Sequence, residues 1–289
     1  MKRKGEFVMR NIKRLFALVV TLVMVLSLSS GVFACDFQNM YMDVQGSGSV
    51  TVIFDSGYGD GVYFYTAPPE YQVNNEWSLV QTALTGAKTI EYDRIGLGQS
   101  PETSPISGKT AFSRALQLRY ELFERGIPGP YIYVAHSWAG MTARAFNAMF
   151  SSEVYGVVFV DATAVGEMDY QTDWIETNMP DYYEAYLASF TSADGTYVQL
   201  MQTEQQVQNL TFGSKPFIEI YCDNEFSAQG LPAEMDTHHI NAQEAQADAL
   251  STNHTVIVSE CGMHAIMLTP DASLITNAVQ SLIDQYNNQ

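Results

Sequence analysis

One serine stands where its hydroxyl could act as a nucleophile. Ser137 follows residues 131–135, a short apolar run rich in β-branched and aromatic side chains that is typical of a buried strand. The segment after it has apolar residues at helical spacing: Met141, Ala145, Phe146, Met149 and Phe150. A serine on a sharp turn from strand to helix projects its hydroxyl clear of the backbone, and the helix N terminus favours developing negative charge. The pattern therefore indicates nucleophilic catalysis by Ser137.

The residues around Ser137 are small, as a close approach of strand and helix requires. Ala135 and Ala139 stand two residues before and after the serine, and Gly140 follows. The chain thus reads A-H-S-W-A where the known nucleophile motif reads G-x-S-x-G. Alanine keeps the small size of glycine but loses its backbone freedom. Because an ordinary strand–turn–helix can also contain a serine, this motif needs support from the rest of the chain.

Strands and helices alternate along the sequence on both sides of this turn. Strands are predicted at 40–44, 50–54, 89–92, 131–135, 154–160, 217–221 and 255–259, and helices at 77–84, 110–123, 141–150 and from 269 onward. The first two strands, joined by a Gly-Ser-Gly-Ser turn, are expected to pair as a β-hairpin. The alternation predicts the α/β class, with a mostly parallel central sheet and helices on both faces.

Residues 162–214 interrupt this alternation. They separate two predicted strands by far more than a crossover needs. They are also rich in large aromatic side chains: Tyr170, Trp174, Tyr182, Tyr183, Tyr186, Phe190 and Tyr197. We predict that this segment is a small helical cap inserted into the domain.

The N terminus has the pattern of a targeting segment. Six basic residues precede an uncharged, mostly apolar run at 15–28, and the small residues Val32 and Ala34 precede Cys35. This pattern is typical of a secretory signal peptide at residues 1–34, and the run is short for a transmembrane helix. We therefore expect a secreted or extracytoplasmic domain at residues 35–289, with a lipid anchor on Cys35 as the alternative to an unmodified terminus.

The chain is strongly acidic, with 14 Lys and Arg residues against 32 Asp and Glu residues and a formal net charge of −18. Such a surface disfavours nucleic acid and anionic membranes as partners. His238 and His239 lie near Asp236, but adjacent histidines point apart on most backbones, so we expect no metal site there. We predict no cofactor.

Four motifs make the chain similar to the α/β-hydrolase family, and they occur in the family's order. Residues 53–59 stand in place of the oxyanion loop, 91–100 match the Y-D-x-x-G-x-G-x-S loop, 135–140 resemble the nucleophile elbow, and 262–264 resemble the histidine loop. The resemblance covers nearly all of the chain after residue 34. Ser56 stands where many members have histidine, and alanines replace the elbow glycines. Neither change removes a reacting group.

The resemblance implies roles for several residues. His264 is the expected general base for Ser137, and the backbone N–H groups of Tyr58 and Trp138 are expected to bind the oxyanion. The acid that orients His264 is open between Asp161, which ends the strand after the elbow helix, and Glu225, which follows the next strand. We favour Asp161. His136 is expected to be a packed residue beside the nucleophile.

A disulfide bond between Cys222 and Cys261 is one further consequence of the resemblance. In the family's strand order the two strands before these cysteines are parallel neighbours, about 4.8 Å apart. If the two cysteines are level, a bond between them has ordinary geometry, and secretion supplies the oxidant. Two buried free thiols are the alternative.

These observations predict a secreted serine hydrolase that cleaves small or medium esters with an apolar group through an acyl-enzyme. The aromatic cap is expected to close over the apolar group and exclude water. An aminopeptidase or amide hydrolase with the same catalytic residues is the nearest alternative, and a catalytically silent binding protein of the same fold is the contrasting class. Members that use an aspartate nucleophile are disfavoured because residue 137 is serine.

Overall fold

The computed structural model describes residues 40–59, 76–102, 104 and 106–289. The expected signal peptide and Cys35 lie outside the described residues, so secretion and lipid anchoring stay predictions. Within these residues, no helix combines the length and the apolar character that crossing a bilayer requires.

The strands form one large sheet and one small hairpin. In chain order they are β1 Met42–Gly46, β2 Val50–Asp55, β3 Ala87–Tyr92, β4 Tyr131–His136, β5 Val154–Val160, β6 Thr191–Ser192, β7 Gly195–Thr196, β8 Phe217–Cys222 and β9 His254–Ser259. The large sheet has seven strands in the order β1-β3-β2-β4-β5-β8-β9, and β6 pairs with β7. All neighbours in the large sheet are parallel except β1 and β3. The predicted mostly parallel sheet is therefore confirmed.

The predicted hairpin of the first two strands is wrong. β1 pairs antiparallel with β3, and β2 lies on the other side of β3. The glycines between β1 and β2 explain the difference. Gly46 has a φ of 66°, and a Cβ on Gly48 would clash with the carbonyl of Gly86, just before β3. The chain between β1 and β2 therefore packs closely against the backbone just before β3, and β1 and β2 do not pair with each other.

Helices cover both faces of the sheet. The described α-helices are α1 Ser78–Gln81, α2 Ala111–Glu124, α3 Ala139–Met149, α4 Glu167–Asn178, α5 Pro180–Ser189, α6 Tyr197–Val207, α7 Glu225–Ala228, α8 Ala233–Leu250 and α9 Ala272–Asn287. Residues of α2, α3 and α8 join the core on one face, whereas α1 and α9 join the core on the other. The predicted fold class is confirmed.

Strand β4 shows how the sheet separates these two cores. All six of its residues are buried. Tyr131, Tyr133 and Ala135 pack into the core with α2 and α3, while Ile132 and Val134 pack into the core with α9. Alternate side chains of a strand point to opposite faces, so a central parallel strand is apolar at every position. This double packing fixes the carboxyl end of β4, where Ser137 follows.

The segment between β5 and β8 is the predicted helical cap. It contains α4, α5 and α6, and the β6–β7 hairpin lies between α5 and α6. Phe190 directly precedes this hairpin, and its ring centroid lies 5.2 Å from that of Tyr186 and 5.5 Å from that of Tyr197. The aromatic residues that predicted the cap thus pack partly against one another.

Candidate active site

Ser137 occupies the sharp junction between β4 and α3. Its φ of 54° lies in the left-handed region, which is strained for a residue with a side chain. Its N–H donates to Val160 O, and the backbone approaches other segments closely around it. A Cβ on Gly57 would lie 3.2 Å from the Ser137 Cβ, and one on Gly140 would lie 3.0 Å from the Ala162 Cβ. Close packing therefore leaves little room for a side chain at Gly57 or at Gly140, which is one of the small residues around the serine.

Asp161 follows β5 and His264 lies on the loop after β9, two strands that β8 separates in the sheet. Asp161 comes directly after β5 with a φ of 48°, and its side chain is fully buried. Its Oδ2 accepts a hydrogen bond from His264 Nδ1 at 2.8 Å. The imidazole of His264 is 42% exposed, so it faces the open side of the site. Asp161 thus fixes the ring nitrogen that points away from that side.

The pKa values of this pair are displaced in opposite directions. Burial alone would raise the pKa of Asp161, but hydrogen bonds from His239 and His264 lower it far below its usual value. Desolvation alone would lower the pKa of His264, but the charge of Glu225 and the hydrogen bond to Asp161 raise it well above its usual value. Asp161 is therefore ionised at neutral pH, and its charge favours the imidazolium form of His264.

Glu225, the alternative acid, contacts the same ring nitrogen. It is the first residue of α7, and its Oε2 lies 3.2 Å from His264 Nδ1. Burial, and then the negative charge of Asp161, raise the pKa of Glu225 to about 7. The structure thus places both sequence candidates beside His264. Because Nδ1 carries a single proton, the closer oxygen of Asp161 is the better acceptor.

A second histidine, which sequence reasoning did not connect to the site, holds the other oxygen of Asp161. His239 Nε2 lies 3.0 Å from Asp161 Oδ1, and its Nδ1 contacts Glu167 Oε1. Desolvation lowers the pKa of His239, but the hydrogen bonds to these two carboxylates raise it to about 11. His239 is therefore an imidazolium between two carboxylates. Its position gave no signal in the sequence, because 78 residues separate it from Asp161.

His238, His239 and Asp236, which lie close together in the sequence, contact different partners in the structure. His238 stacks on Tyr170 with ring centroids 3.6 Å apart. Asp236 Oδ1 accepts the backbone N–H of Phe226 at 2.8 Å. His239 forms part of a different group, since one ligand atom each from Asp161, Glu225 and His239 lie within 4.8 Å of one another. Both nitrogens of His239 already face carboxylates, so the imidazole has no lone pair to offer in its charged form.

The two residues expected to bind an oxyanion lie at the ends of β2 and β4. Tyr58 follows β2, Trp138 is the N cap of α3, and both line the cavity that contains Ser137 and His264. Trp138 supplies no side-chain cap, so the first N–H groups of α3 are not masked by its side chain. Helix N termini and exposed N–H groups favour an anion.

His136 is buried, as predicted, and it joins the site to a buried carboxyl. Its Nε2 lies 3.2 Å from His264 O, and its Nδ1 lies 3.3 Å from Glu76 Oε1. Burial raises the pKa of Glu76 to about 8. Sequence reasoning missed Glu76. In the sequence Glu76 is marked only by its neighbour Trp77. In the structure the ring of Trp77 packs 5.0 Å from that of Phe54 in β2.

The predicted disulfide bond is not present in this structure. Cys222 and Cys261 are free thiols whose sulfurs lie 3.8 Å apart. Cys222 is level with Ser259 and not with Cys261, although the chain after β9 still brings the two sulfurs close together. The condition on which the prediction depended is therefore not met.

Above Ser137 is a cavity of about 200 Å³ that the cap helps to enclose. Its lining mixes apolar and polar side chains, and the cap contributes both kinds, the polar ones being Thr163, Glu167 and Gln171. The cap supplies Met168, Tyr186, Phe190 and Leu200. A hydroxyl, an imidazole with an oriented carboxylate, and N–H groups at a helix N terminus are the parts that acyl transfer requires. The arrangement therefore suits hydrolysis of a small acyl compound.

Comparisons with known proteins agree with this geometry. The family model described as alpha/beta hydrolase fold matches residues 52–258. An AB hydrolase superfamily protein of Gibberella zeae is 34% identical over 91 residues, which cover 30% of this chain and 28% of that protein. An uncharacterized protein of Schizosaccharomyces pombe is 37% identical over 107 residues, which cover 35% of this chain and 19% of that protein. Each match thus spans less than a third of the relative's length.

Solved structures resemble the chain over most of its length. Alpha/beta hydrolase domain-containing protein 10 from mouse has a TM-score of 0.60 at 16% identity, with 88% of this chain and 98% of that chain covered. An esterase from Thermogutta terrifontis has a TM-score of 0.57 at 16% identity, with 85% and 93% covered. At such low identity these likenesses show the fold. With the family model matching well over half of its residues, the chain belongs to the α/β-hydrolase fold family.

Proposed function

We propose that the protein is a serine hydrolase that cleaves small esters with an apolar group through an acyl-enzyme. The observation that carries the proposal is the shared cavity: Ser137, on its strained turn, lines the same cavity as His264, whose other ring nitrogen is held by Asp161. Family membership supports a hydrolase, and two solved structures of similar fold are esterases.

In this mechanism each group has a defined task. The Ser137 Oγ attacks the ester carbonyl carbon while His264 Nε2 takes the hydroxyl proton. The N–H groups of Tyr58 and Trp138 stabilise the negative oxygen of the tetrahedral intermediate, and one such donor contributes on the order of 3 kcal/mol. His264 then returns its proton to the leaving alcohol, and water attacks the acyl-enzyme by the same route.

The cavity favours a short acyl chain. A volume of about 200 Å³ is below the roughly 300–1,000 Å³ of sites that hold drug-sized ligands. Tyr186 and Phe190 of the cap line this cavity, so the acyl chain would pack against their rings. We expect p-nitrophenyl esters with chains of about two to six carbons to react faster than the dodecanoate.

A pair of variants tests the proposal. Ser137→Ala should abolish ester hydrolysis and labelling by a fluorophosphonate probe, whereas Ser152→Ala, an exposed serine, should leave both unchanged. Retention of more than a few per cent of wild-type kcat in Ser137→Ala would sink the mechanism. A wild-type protein that neither hydrolyses the esters nor reacts with the probe would indicate the catalytically silent alternative.

We also propose that the mature protein is secreted. The support is the basic and apolar pattern of residues 1–34 in the sequence. N-terminal sequencing of protein recovered from the culture medium should begin at Cys35. An intact N terminus on protein retained in the cytoplasm would contradict secretion, and a lipid-modified Cys35 would show the anchored alternative.

A further inference from the structure

The β6–β7 hairpin of the cap reaches the loop after β2 through one buried carboxylate. Asp194, in the turn of this hairpin, is 3% exposed. Its Oδ2 accepts the backbone N–H of Gly59 at 2.9 Å and Arg94 Nη2 at 2.7 Å, while its Oδ1 accepts Arg94 Nε at 2.9 Å. The cap and the loop that contains Tyr58 therefore share one charged contact.

Arg94 continues this contact to the other side of the loop. Its Nη1 donates to Ser56 O and to Asp55 Oδ1, each at 2.7 Å, and its Nη2 donates to Gly57 O. Asp194 and Arg94 thus hold the backbone both before and after Tyr58. The Tyr58 side chain adds a third link, because its hydroxyl donates to Gly195 O of the hairpin at 2.6 Å.

Peptide geometry connects these contacts to catalysis. Gly57 C=O and Tyr58 N–H belong to the same planar trans peptide, so they point in opposite directions. When Arg94 holds the Gly57 carbonyl on one side, it directs the Tyr58 N–H to the other side. That N–H is the group proposed above to bind the oxyanion.

We propose that Asp194 is a positioning residue that holds the oxyanion loop in its working geometry through Arg94 and the Gly59 N–H. The inference rests on the proposed function of Tyr58 in that site. It makes the cap part of the catalytic apparatus, because the hairpin must be docked for the oxyanion donor to be aimed. Docking of the cap and formation of the oxyanion site are then one event.

Asp194 and Arg94 form a buried ion pair between opposite charges. Burial alone would raise the pKa of Asp194, but the charge of Arg94 lowers it, so Asp194 is an anion at neutral pH. Arg94 is also paired with Asp55, which keeps one carboxylate on the guanidinium when the other is removed. Substitution of Asp194 should therefore loosen the loop while Arg94 keeps Asp55 as its partner. Arg114, whose Nη2 lies 3.2 Å from Asp194 Oδ1, loses that carboxylate but keeps its hydrogen bonds to Ile95 O and Ala193 O.

The main test is Asp194→Asn, with Asp173→Asn as the control on an exposed position of the cap. An amide has one accepting oxygen where the carboxylate has two, so it cannot accept from Gly59 and from both nitrogens of Arg94. We expect kcat for p-nitrophenyl butyrate, per site labelled by fluorophosphonate, to fall about 10- to 100-fold with KM within about threefold. Asp173→Asn should match the wild type.

A transition-state analogue separates positioning from a general loss of structure. A trifluoromethyl ketone adds to Ser137 Oγ and places its oxygen where the oxyanion forms, with the serine proton passing to His264. Its affinity should fall in Asp194→Asn by about the same factor as kcat/KM. Unchanged kcat and unchanged analogue affinity in the folded variant would overturn the proposal, as would a raised KM with normal kcat.

Hydrogen exchange keeps this result separate from that of the proposed function. In Asp194→Asn the amides of residues 57–59 should exchange faster than in Asp173→Asn, whether or not the protein hydrolyses any ester. Equal exchange would overturn the clamp. If Asp194→Asn does not fold, Tyr58→Phe removes the bond to Gly195 O without leaving a buried charge, and it should lower kcat about two- to tenfold. An unchanged kcat in that variant would refute the requirement that the hairpin be docked for the oxyanion donor to be aimed.

Discussion

Two carboxylates lie beside His264 Nδ1, and substituting each in turn should give very different losses of activity. Asp161→Asn removes the acceptor at 2.8 Å, and Glu225→Gln removes the charge at 3.2 Å. Both changes conserve size. We predict that Asp161 orients the imidazole, whereas Glu225 acts mainly through its charge.

The expected loss for Asp161→Asn follows from the tautomer of His264. An asparagine can present its NH₂ group to Nδ1, which favours the ring form with the proton on Nε2. That form cannot take the proton of Ser137. The corresponding change in a serine protease lowers kcat about 10⁴-fold. We expect a loss of about the same size here.

The expected loss for Glu225→Gln follows from the distance and the exposure. Unit charges 3.2 Å apart interact by about 1.3 kcal/mol at the dielectric constant of water and about 2.6 kcal/mol at half that value. Because the His264 side chain is 42% exposed, these screened values apply rather than those of a dry interior. They correspond to a roughly 10- to 100-fold loss of kcat at a pH above 7, where Glu225 is ionised.

The role of Glu225 also predicts the direction in which the pH profile of Glu225→Gln should move. The charge of Glu225 raises the pKa of His264 and so keeps the imidazole protonated to higher pH. Without this charge, neutral His264 should be available at lower pH. The acid limb of kcat/KM in Glu225→Gln should therefore move to lower pH while the plateau falls.

The assay is p-nitrophenyl butyrate hydrolysis from about pH 5 to pH 9, with rates normalised to the sites labelled by fluorophosphonate. Glu260→Gln is the matched control, since it removes the charge of an exposed glutamate four residues before His264. A larger loss in Glu225→Gln than in Asp161→Asn would transfer the orienting role to Glu225. An acid limb that stays in place in Glu225→Gln would refute the electrostatic reasoning.

Three further predictions concern the surroundings of the site. Ser137→Gly should be more stable than Ser137→Ala by about 1 kcal/mol in urea unfolding, because glycine adopts a φ of 54° without strain, and equal stabilities would argue against a strained turn. Between pH 4.5 and about 8 the unfolded chain releases the proton of Glu76 while the folded protein keeps it, so the stability of the folded protein should fall as pH rises. Glu76→Gln should therefore show a smaller drop in Tm than the wild type between about pH 5 and pH 9. An identical drop in the two proteins would contradict this. Gly57→Ala should lower kcat about tenfold, since its Cβ would lie 3.1 Å from His136 Nδ1 and 3.2 Å from Ser137 Cβ, and an unchanged kcat would show that the loop absorbs the methyl group.

The sequence was sufficient for the architecture because its signals are local. The apolar run of β4 and the helical spacing of α3 each lie within a dozen residues, and the small residues between them predict the turn at Ser137. The hairpin of β1 and β2 failed for the opposite reason. Its glycines indicate a turn, but the choice of β3 as the partner of β1 depends on a strand that comes forty residues later.

The contacts that control the site are long-range, and no spacing in the sequence predicts them. Asp194 meets Arg94 across 100 residues, and His239 meets Glu167 across 72. Asp194 and Glu167 are carboxylates in an acidic chain, so each would be taken for part of the solvated surface. Arg94 belongs to the loop motif at 91–100, and His239 suggests only a metal ligand, so neither points to its partner. Only the folded chain shows that they are buried and paired. Sequence order suggested which residues could react, but not which residues set their charge.

The contact between His239 and Asp161 changes how the site should be understood. In a simple triad one carboxylate acts on one imidazole, but here Asp161 is shared between His264 and the imidazolium of His239. The positive charge of His239 reduces the negative potential that Asp161 exerts at His264. Glu225, on the same ring nitrogen, restores negative charge when it ionises near pH 7. The second carboxylate is thus best explained as compensation for the second histidine, which is why we expect its effect to be electrostatic and dependent on pH.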